Sequence, residues 1–335
     1  MKIRIGINGF GRIGRLVARI AASAPDVDLV AFNDLVDPAI NAHLFKYDST
    51  YRTFAGSVEL QGEELVVNGD RVRLLKEKDP VLIPWGDLGV EFVLESTGVF
   101  TSAEACEKHL AGGAKYVILS APAKGPMPTY LMGVNHTQWV ADGKPKVLSN
   151  ASCTTNCLAP MAKVLNDAFV IKRGLMNTIH AYTNDQQILD RGHKDLRRAR
   201  SAAVNIIPTT TGAAKAIGLV IPELKGKLDG FATRVPVVTG SMVDLTCELE
   251  KDTSAAEINA KMAEAAAGPL MGVLEYASDP IVSSDIIQNP HSSIFDSGLT
   301  SVMGGTFSKT VSWYDNEWGY SCRCVDLMRY LSSQA

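Results

Sequence analysis

Apolar and polar positions in the first 150 residues follow two alternating patterns. Four short, continuous apolar runs are typical of parallel strands covered on both faces. They lie at residues 2–8, 27–32, 91–95 and 115–120. Residues 12–22 have helical spacing, and a capping box at 101–104 predicts a further helix. An Asn68-Gly69 turn within residues 58–75 predicts a hairpin. Strands that alternate with helices indicate a Rossmann-like, doubly wound parallel sheet, hence an α/β fold.

The pattern changes near residue 150, where longer strand-like runs become dominant. They lie at residues 175–183, 231–238, 242–250 and 306–314. Helices are predicted at about 153–166, after a capping box at 254–257, and at about 317–331. This half reads as an α+β domain with a mostly antiparallel sheet, and the predicted boundary lies near residues 150–152.

Composition narrows the class of protein without naming it. A length of 335 residues suits two domains, and a net charge of −3 argues against nucleic acid or a membrane surface as the main partner. Six cysteines are too few for a disulfide scaffold, which predicts a reducing cytoplasm. Arg12, Arg15 and Arg19 interrupt any signal-peptide core, and no apolar stretch is long enough to span a membrane.

A glycine motif lies where the first strand should meet the first helix. Gly9, Gly11 and Gly14 form GxGxxG, in which the glycines allow a tight turn, a close approach to a pyrophosphate and close helix packing. Asp34 lies 34 − 14 = 20 residues past the last glycine, the spacing of a carboxylate that binds a ribose 2′-hydroxyl and repels a 2′-phosphate. The alternative is three packing glycines and a turn-capping aspartate. The full context favours NAD binding.

Cys153 falls at the predicted start of a helix, and His180 lies 180 − 153 = 27 residues later in a predicted strand. The positive helix terminus should lower the pKa of a thiol, and a histidine could act as its base. For these residues alone, a buried inert cysteine is an equally open interpretation, and a lone histidine in a strand is more often packed than catalytic. No histidine has metal-site spacing, so we predict no metal, and we assign no catalytic role to the other five cysteines.

One basic cluster, at residues 193–200, interrupts a chain that is otherwise mildly acidic. It is too short for a nucleic-acid surface and suits a small anion such as a phosphate ester. Residues 209–212 add hydroxyls and a glycine, a plausible phosphate nest. Arg234 lies in an apolar strand-like run, where its charge needs an anionic partner.

These motifs together resemble phosphorylating glyceraldehyde-3-phosphate dehydrogenases of the bacterial type over essentially the whole chain. The segments that carry the resemblance are INGFGRIGR at 7–15, SNASCTTNCLAP at 149–160, HAYTNDQ at 180–186, HKDLRRAR at 193–200, PTTTGAAKA at 208–216 and WYDNEWGYS at 313–321. The resemblance implies an NAD-binding domain at 1–151, a catalytic domain at 152–316, and a C-terminal helix at 317–335 that packs back on the first domain. It also implies a homotetramer.

The resemblance also implies residue roles. Cys153 would be the nucleophile and His180 its base and acid. Residues implied to contact the cofactor, besides the glycines, are Arg12, Ile13, Asp34, Lys78, Ser120 and Asn316. Residues implied to hold the substrate phosphate and inorganic phosphate are Ser152, Thr154, Thr183, Arg198, Thr211, Gly212 and Arg234. The implied reaction converts glyceraldehyde 3-phosphate to 1,3-bisphosphoglycerate through a thiohemiacetal and a thioester on Cys153, in glycolysis or gluconeogenesis.

One departure and three alternatives remain open at this stage. Arg191-Gly192 replaces the hydrophobic residue and proline that commonly precede HKDLRRAR, and an arginine there could attract a 2′-phosphate. We therefore expect NAD preference with some NADP tolerance. Erythrose-4-phosphate dehydrogenase resembles the chain in fold and motifs, and a requirement for inorganic phosphate would distinguish it. A Cys–His hydrolase does not explain the glycine motif, and a nucleic-acid-binding module does not fit the charge.

Overall fold

The computed structural model describes residues 2–335, which separate into two compact units. The first comprises the residues up to Met132, together with His136–Ala151 and Ser321–Ala335. The second comprises Gly133–Asn135 and Ser152–Tyr320. Each unit is built around a sheet of its own.

The first unit alternates strands and helices, as the apolar runs predict. Its elements are β1 (Ile3–Asn8), α1 (Arg12–Ser23), β2 (Val27–Asn33), α2 (Pro38–Lys46), β3 (Val58–Gln61), β4 (Glu64–Val67), β5 (Asp70–Leu75), β6 (Phe92–Glu95), α3 (Ala103–Ala111), β7 (Tyr116–Leu119), α4 (Gln138–Ala141) and β8 (Val147–Ser149).

The sheet of the first unit has the order β3-β4-β5-β2-β1-β6-β7-β8. From β5 to β8 every pairing is parallel, and the strand order reverses between β1 and β6. This confirms the doubly wound, Rossmann-like fold, whose ligand crevice lies at the carboxyl ends of the strands beside that reversal. The central strands are buried because helices shield them from solvent, with Ile5, Ile7 and Val93 fully buried.

Residues 58–75 form a three-stranded antiparallel meander, one strand more than the predicted hairpin. The Asn68-Gly69 turn is confirmed: both residues have positive φ, 52° and 93°, and they join β4 to β5. The capping box at 101–104 is wrong by one residue. Ser102 is the N-cap of α3, and its hydroxyl accepts the Ala105 amide. Thr101 is instead buried, and its carbonyl accepts the Lys124 amide.

The second unit contains longer strands and a long buried helix. Its elements are α5 (Cys153–Phe169), β9 (Ile171–Ala181), β10 (Ile207–Thr210), α6 (Ala213–Val220), β11 (Leu228–Val235), β12 (Ser241–Leu249), α7 (Ala255–Ala267), β13 (Leu274–Ala277), β14 (Ser293–Asp296), β15 (Ser301–Met303) and β16 (Phe307–Tyr314), followed by α8 (Trp318–Gln334).

The sheet of the second unit has the order β10-β11-β9-β12-β16-β14-β13, with β15 paired to β16. Two of these pairings are parallel, β11 with β9 and β13 with β14, and the others are antiparallel, as predicted. Helix α5 packs on β12, β14 and β16, and the middle of the helix is buried. The capping box at 254–257 is confirmed at the start of α7, where Ser254 and Glu257 cap each other.

Helix α8 begins in the second unit, and from Ser321 onward it belongs to the first. Within the first unit, Arg329 holds Asp26 through two hydrogen bonds of 2.7 and 2.8 Å. Tyr330 packs edge-on against His136, at 4.6 Å between ring centroids. None of the helices in residues 2–335 has both the length and the apolar character needed to cross a membrane.

Candidate active site

The sulfur of Cys153 and the imidazole of His180 meet at the N-terminus of α5. Ser152 caps this helix, with its hydroxyl accepting the Thr155 amide at 3.0 Å, and Cys153 is therefore the first helical residue. His180 lies one residue before the end of β9. Its Nε2 lies 3.6 Å from the Cys153 sulfur, within the range of a sulfur hydrogen bond. The structure thus joins two residues that the sequence separates by 27 positions.

Arg234 lies on the other side of the imidazole. Strand β11 runs parallel to β9, and in this register Arg234 is the direct partner of His180. Its Nη1 lies 2.8 Å from His180 Nδ1 and donates to the Ala181 carbonyl at 2.9 Å. The Nε of Arg234 is buried without a hydrogen-bond partner, which leaves a donor for an anion.

The same carbonyl fixes the tautomer of His180. Nδ1 lies 2.6 Å from the Ala181 oxygen, which can only accept. Arg234 Nη1, also a donor, lies 2.8 Å from Nδ1 but donates to the same carbonyl. We therefore assign the proton to Nδ1, and Nε2 keeps its lone pair toward Cys153. In this state the imidazole can take a proton from the thiol.

Burial is the largest cause of the pKa shifts of both Cys153 and His180. It lowers the pKa of His180 to about 3, with a second contribution from the positive charge of Arg234. Burial also raises the pKa of Cys153, although Arg234, the Thr154 hydroxyl and backbone amides oppose it. The expected lowering of the Cys153 pKa is therefore wrong, because desolvation of the thiolate outweighs the helix terminus. At neutral pH the pair is a thiol beside a neutral imidazole.

Tyr314 supports the floor of this site and was not singled out from the sequence. Its hydroxyl lies 2.9 Å from Thr154 Oγ1 and 2.8 Å from Thr178 Oγ1, and its ring packs edge-on against His180. It is the last residue of β16 and is buried. Its place in the WYDNEWGYS segment was the signal that could have identified it.

Arg198 is the second cationic side chain predicted to bind phosphate. Its Nε donates to Thr209 Oγ1 at 2.8 Å, and its Nη2 donates to the Thr210 carbonyl at 3.1 Å. Asp185 forms an ion pair with its Nη1, so a carboxylate already contacts part of the guanidinium. Arg198 is close enough to contribute, as the smallest of four causes, to the lowered pKa of His180.

The remaining residues predicted to bind phosphate lie on loops and element ends of the second unit. Thr154 is buried in the first turn of α5. Thr211 and Gly212 form the turn from β10 into α6, where the Thr211 hydroxyl accepts the Ala213 amide at 3.2 Å and Gly212 is the N-cap. Thr183 follows β9, and its carbonyl accepts the Gln186 amide at 2.8 Å.

The glycine motif forms a turn that leaves space for a ligand. Gly9 has φ +93°, and a Cβ on Gly14 would lie 2.1 Å from the Gly9 carbonyl oxygen, so both positions require glycine. A Cβ on Gly11 would meet nothing within 4 Å, and Gly11 is the N-cap of α1. An open helix N-terminus without a side chain at its cap is the form of a pyrophosphate site, and the residues present therefore fit NAD.

Other residues implied to contact the cofactor lie at the same edge of the first sheet. Asp34 follows β2, and its carboxylate accepts the Phe10 amide at 2.6 Å and the Val36 amide at 2.8 Å. Ser120 follows β7 and donates to the Glu95 carbonyl at 3.1 Å. Arg12 opens α1 beside Ile13, but its side chain pairs with Asp48 at 2.5 Å.

Two further residues are implied to contact the cofactor. Lys78 is exposed between β5 and the 3₁₀ turn Pro80–Leu82. Asn316 belongs to the second unit, where its side-chain oxygen accepts the Ser241 hydroxyl at 2.8 Å.

Comparison with known proteins decides the family. The model of the glyceraldehyde 3-phosphate dehydrogenase NAD binding domain matches residues 3–103, and that of the C-terminal domain of the same enzyme matches residues 152–316. The chain belongs to the glyceraldehyde-3-phosphate dehydrogenase family.

Its relatives in this family match it from end to end. Glyceraldehyde-3-phosphate dehydrogenase of Mycolicibacterium smegmatis is 56% identical over 336 residues, 98% of each chain. Glyceraldehyde-3-phosphate dehydrogenase 1 of Bacillus subtilis is 55% identical over 334 residues, 100% of this chain and 99% of its own. Glyceraldehyde-3-phosphate dehydrogenase 2 of Streptomyces avermitilis is 54% identical over the full length of both. The resemblance seen in the motifs is thus confirmed for the whole chain.

Proposed function

We propose that this protein is an NAD-dependent phosphorylating dehydrogenase that converts glyceraldehyde 3-phosphate and inorganic phosphate to 1,3-bisphosphoglycerate. The observation that carries the proposal is the 3.6 Å approach of Cys153 Sγ to His180 Nε2 beside Arg234, in a chain of this family. The relatives are named for the glyceraldehyde-3-phosphate enzyme, so the erythrose-4-phosphate and hydrolase alternatives are not favoured.

The chemistry of the site begins with a proton transfer inside the pair. Neutral His180 accepts the thiol proton at Nε2, and the Cys153 thiolate then attacks the aldehyde carbon to give a thiohemiacetal. The imidazolium formed in this way can protonate the new alkoxide. In the oxidation, His180 takes the hydroxyl proton again as the carbon loses hydride. NAD, when bound, supplies the hydride acceptor that makes the product a thioester.

The second half-reaction uses the cationic groups. Inorganic phosphate attacks the thioester carbon, the Cys153 thiolate leaves, and an acyl phosphate is released. Arg234, with its unpartnered Nε, and Arg198 would hold the two phosphate groups, with hydroxyls contributed by Ser152, Thr154, Thr183 and Thr211 and a backbone amide by Gly212. Phosphate at Arg198 would compete with Asp185, which pairs with the Arg198 guanidinium.

The cofactor would lie over the glycine turn of the first unit. Gly9, Gly11, Gly14 and the first amides of α1 at Arg12 and Ile13 would hold the pyrophosphate, and Asp34 would accept the adenosine ribose hydroxyls. We assign Lys78, Ser120 and Asn316 to the same cofactor. Arg191 is exposed, and we infer that it gives the enzyme some tolerance of NADP.

We infer that the enzyme is a homotetramer of the cytoplasm. The second sheet leaves Leu175, Phe231 and Phe307 exposed around a cleft of about 730 Å³, an apolar surface that suits contact with another copy. The cysteines of the described residues are all free, which suits a reducing compartment. A mass measured by light scattering tests the tetramer, and a monomer would contradict it.

Formation of NADH from glyceraldehyde 3-phosphate, followed with and without inorganic phosphate, tests the function. We expect fast turnover only when phosphate is present, because the thioester is released by phosphate. Erythrose 4-phosphate in the same assay is the matched alternative. Faster turnover with it, independent of phosphate, would replace the proposal.

A further inference from the structure

A fully buried carboxylate lies beneath the glycine turn and has no role in the reaction described above. Glu95 is the last residue of β6, the strand beside β1, and its side chain is inaccessible to solvent. Oε1 accepts the Thr97 amide at 2.8 Å and the Thr97 hydroxyl at 2.5 Å. Oε2 accepts Asn8 Nδ2 at 2.6 Å and lies 3.0 Å from His109 Nε2. Each carboxylate oxygen therefore faces two donors.

The indole of Trp85 determines which nitrogen of His109 carries the proton that faces Glu95. The indole nitrogen of Trp85 can only donate, and it lies 3.0 Å from Nδ1 of the buried His109. Nδ1 therefore carries a lone pair, and the imidazole proton resides on Nε2, where it is donated to Glu95. With a neutral imidazole and donors on all sides, Glu95 is an anion that depends on its hydrogen bonds rather than on a cation.

Glu95 connects directly to the walls of the glycine turn. Asn8 immediately precedes Gly9, and Thr97 lies against it, since a Cβ on Gly9 would come within 2.6 Å of the Thr97 amide nitrogen. Between the two, the Ser96 hydroxyl donates to the Gly9 carbonyl at 2.7 Å. The carboxylate thus holds both sides of the turn, one through each oxygen.

The network extends to the strand that ends at the ribose-binding position. Asn33 Nδ2 donates to Asn8 Oδ1 at 2.8 Å, and the Asn33 carbonyl accepts the Gly9 amide at 2.9 Å. Asn33 directly precedes Asp34, whose carboxylate accepts the Phe10 amide. The carboxyl ends of β1, β2 and β6 are therefore linked through the Asn8 side chain.

We propose that Glu95 is a positioning residue for the cofactor: through Asn8 and Thr97 it holds the Gly9 turn in the conformation that binds a dinucleotide. The inference rests on the proposed NAD site. The affinity of the Gly9 turn for NAD would then depend partly on a side chain that the cofactor does not touch.

Glu95→Gln tests the proposal because it keeps the volume and removes the charge. A carboxamide oxygen can face only one of the two donor pairs, and its NH₂ then opposes the other. We expect the dissociation constant for NAD, measured by calorimetry on the folded protein, to rise by about tenfold, the size of a lost hydrogen bond to a charged group. The KM for NAD should rise similarly, while kcat at saturating NAD and the KM for glyceraldehyde 3-phosphate stay within about twofold of the parent.

Two further variants keep the test decisive. Tyr130→Phe removes a partly buried hydrogen bond to a carboxylate in the same unit, the 2.7 Å bond to Asp142, and should leave NAD affinity unchanged. His109→Phe removes one donor and keeps the charge of Glu95. It should weaken NAD binding by less than Glu95→Gln does, and it provides the test if Glu95→Gln does not fold. Folded variants that bind NAD like the parent would overturn the positioning role. A parent that binds no NAD would overturn the proposed function instead.

Discussion

Arg234 and His180 are direct partners across two parallel strands, with Arg234 Nη1 2.8 Å from His180 Nδ1. Both nitrogens are within hydrogen-bonding distance of the Ala181 carbonyl, at 2.9 and 2.6 Å. Burial first and this cation second lower the pKa of His180, so the imidazole stays neutral at physiological pH. The arginine that is placed to hold phosphate therefore also maintains the base form of the histidine.

Two substitutions of Arg234 should separate its role in binding phosphate from its effect on the pKa of His180. Arg234→Leu removes a charge that lowers the pKa of both His180 and Cys153, so both values should rise. We expect iodoacetamide to alkylate Cys153 more slowly at pH 7, with a profile displaced to higher pH. Arg234→Lys keeps the charge and should keep the alkylation profile, while kcat/KM falls by about tenfold or more because the planar fork is lost. Identical alkylation profiles for the leucine variant and the parent would contradict the electrostatic role.

Cys153→Ser should abolish the dehydrogenase reaction. A serine hydroxyl beside a neutral imidazole is a far weaker nucleophile than a thiolate, and we expect kcat to fall by about 10⁴-fold or more. NAD affinity, measured by calorimetry, should stay near that of the parent. Cys157→Ser is the matched control, one helical turn further along α5 and hydrogen-bonded to Ser293. Turnover that persists in Cys153→Ser would refute the nucleophile assignment.

His180→Asn should slow the chemistry of the thiol without removing it. With no base at 3.6 Å, the Cys153 proton must leave to water, and alkylation at pH 7 should fall by about 10²-fold, the usual size of a general-base contribution. His43→Asn, at an exposed position of α2, is the control and should react like the parent. Equal alkylation rates in all three proteins would exclude His180 as the base.

Asp34→Asn should shift the choice of cofactor. The amide oxygen can still accept one of the two backbone amides that Asp34 holds, but the charge that repels a 2′-phosphate is gone. We expect the ratio of kcat/KM for NADP to that for NAD to rise by about tenfold, measured in parallel steady-state assays. Asp37→Asn, at the N-cap of α2, controls for charge alone. A ratio unchanged from that of the parent would remove Asp34 from cofactor selection.

The ion pair between Asp26 and Arg329 should contribute stability that depends on pH. Its hydrogen bonds to Arg329, the largest cause, lower the pKa of Asp26 below the ordinary 3.8. The contribution is therefore present above that pH and is lost as the pH falls through the folded-state pKa. Because Asp26 is half exposed, Asp26→Asn should cost only about 0.5 kcal/mol at pH 7. Thermal unfolding at pH 7 and pH 3 measures the difference, with exposed Asp70→Asn as control. A loss that is equal at both pH values would contradict the assignment.

The sequence determined the features that depend on neighbouring residues. The Asn68-Gly69 turn, the Ser254–Glu257 cap and the glycine motif were found because backbone conformation at a turn or a helix start depends on a few adjacent side chains. The family motifs also named Cys153 and His180. The Thr101–Glu104 spacing of a capping box predicts the start of α3 one residue early, because Thr101 is buried and Ser102 is the N-cap.

Only the tertiary structure decided which residues from distant parts of the chain become neighbours. The register of β11 on β9 places Arg234 opposite His180, and the adjacent ends of β1 and β6 place Asn8 against Glu95. No local pattern encodes these partners, since 54 and 87 residues separate them. The pKa values of Cys153 and His180 were beyond the sequence for the same reason: desolvation is set by everything that packs around a group, and here it outweighed the helix terminus that the sequence could foresee.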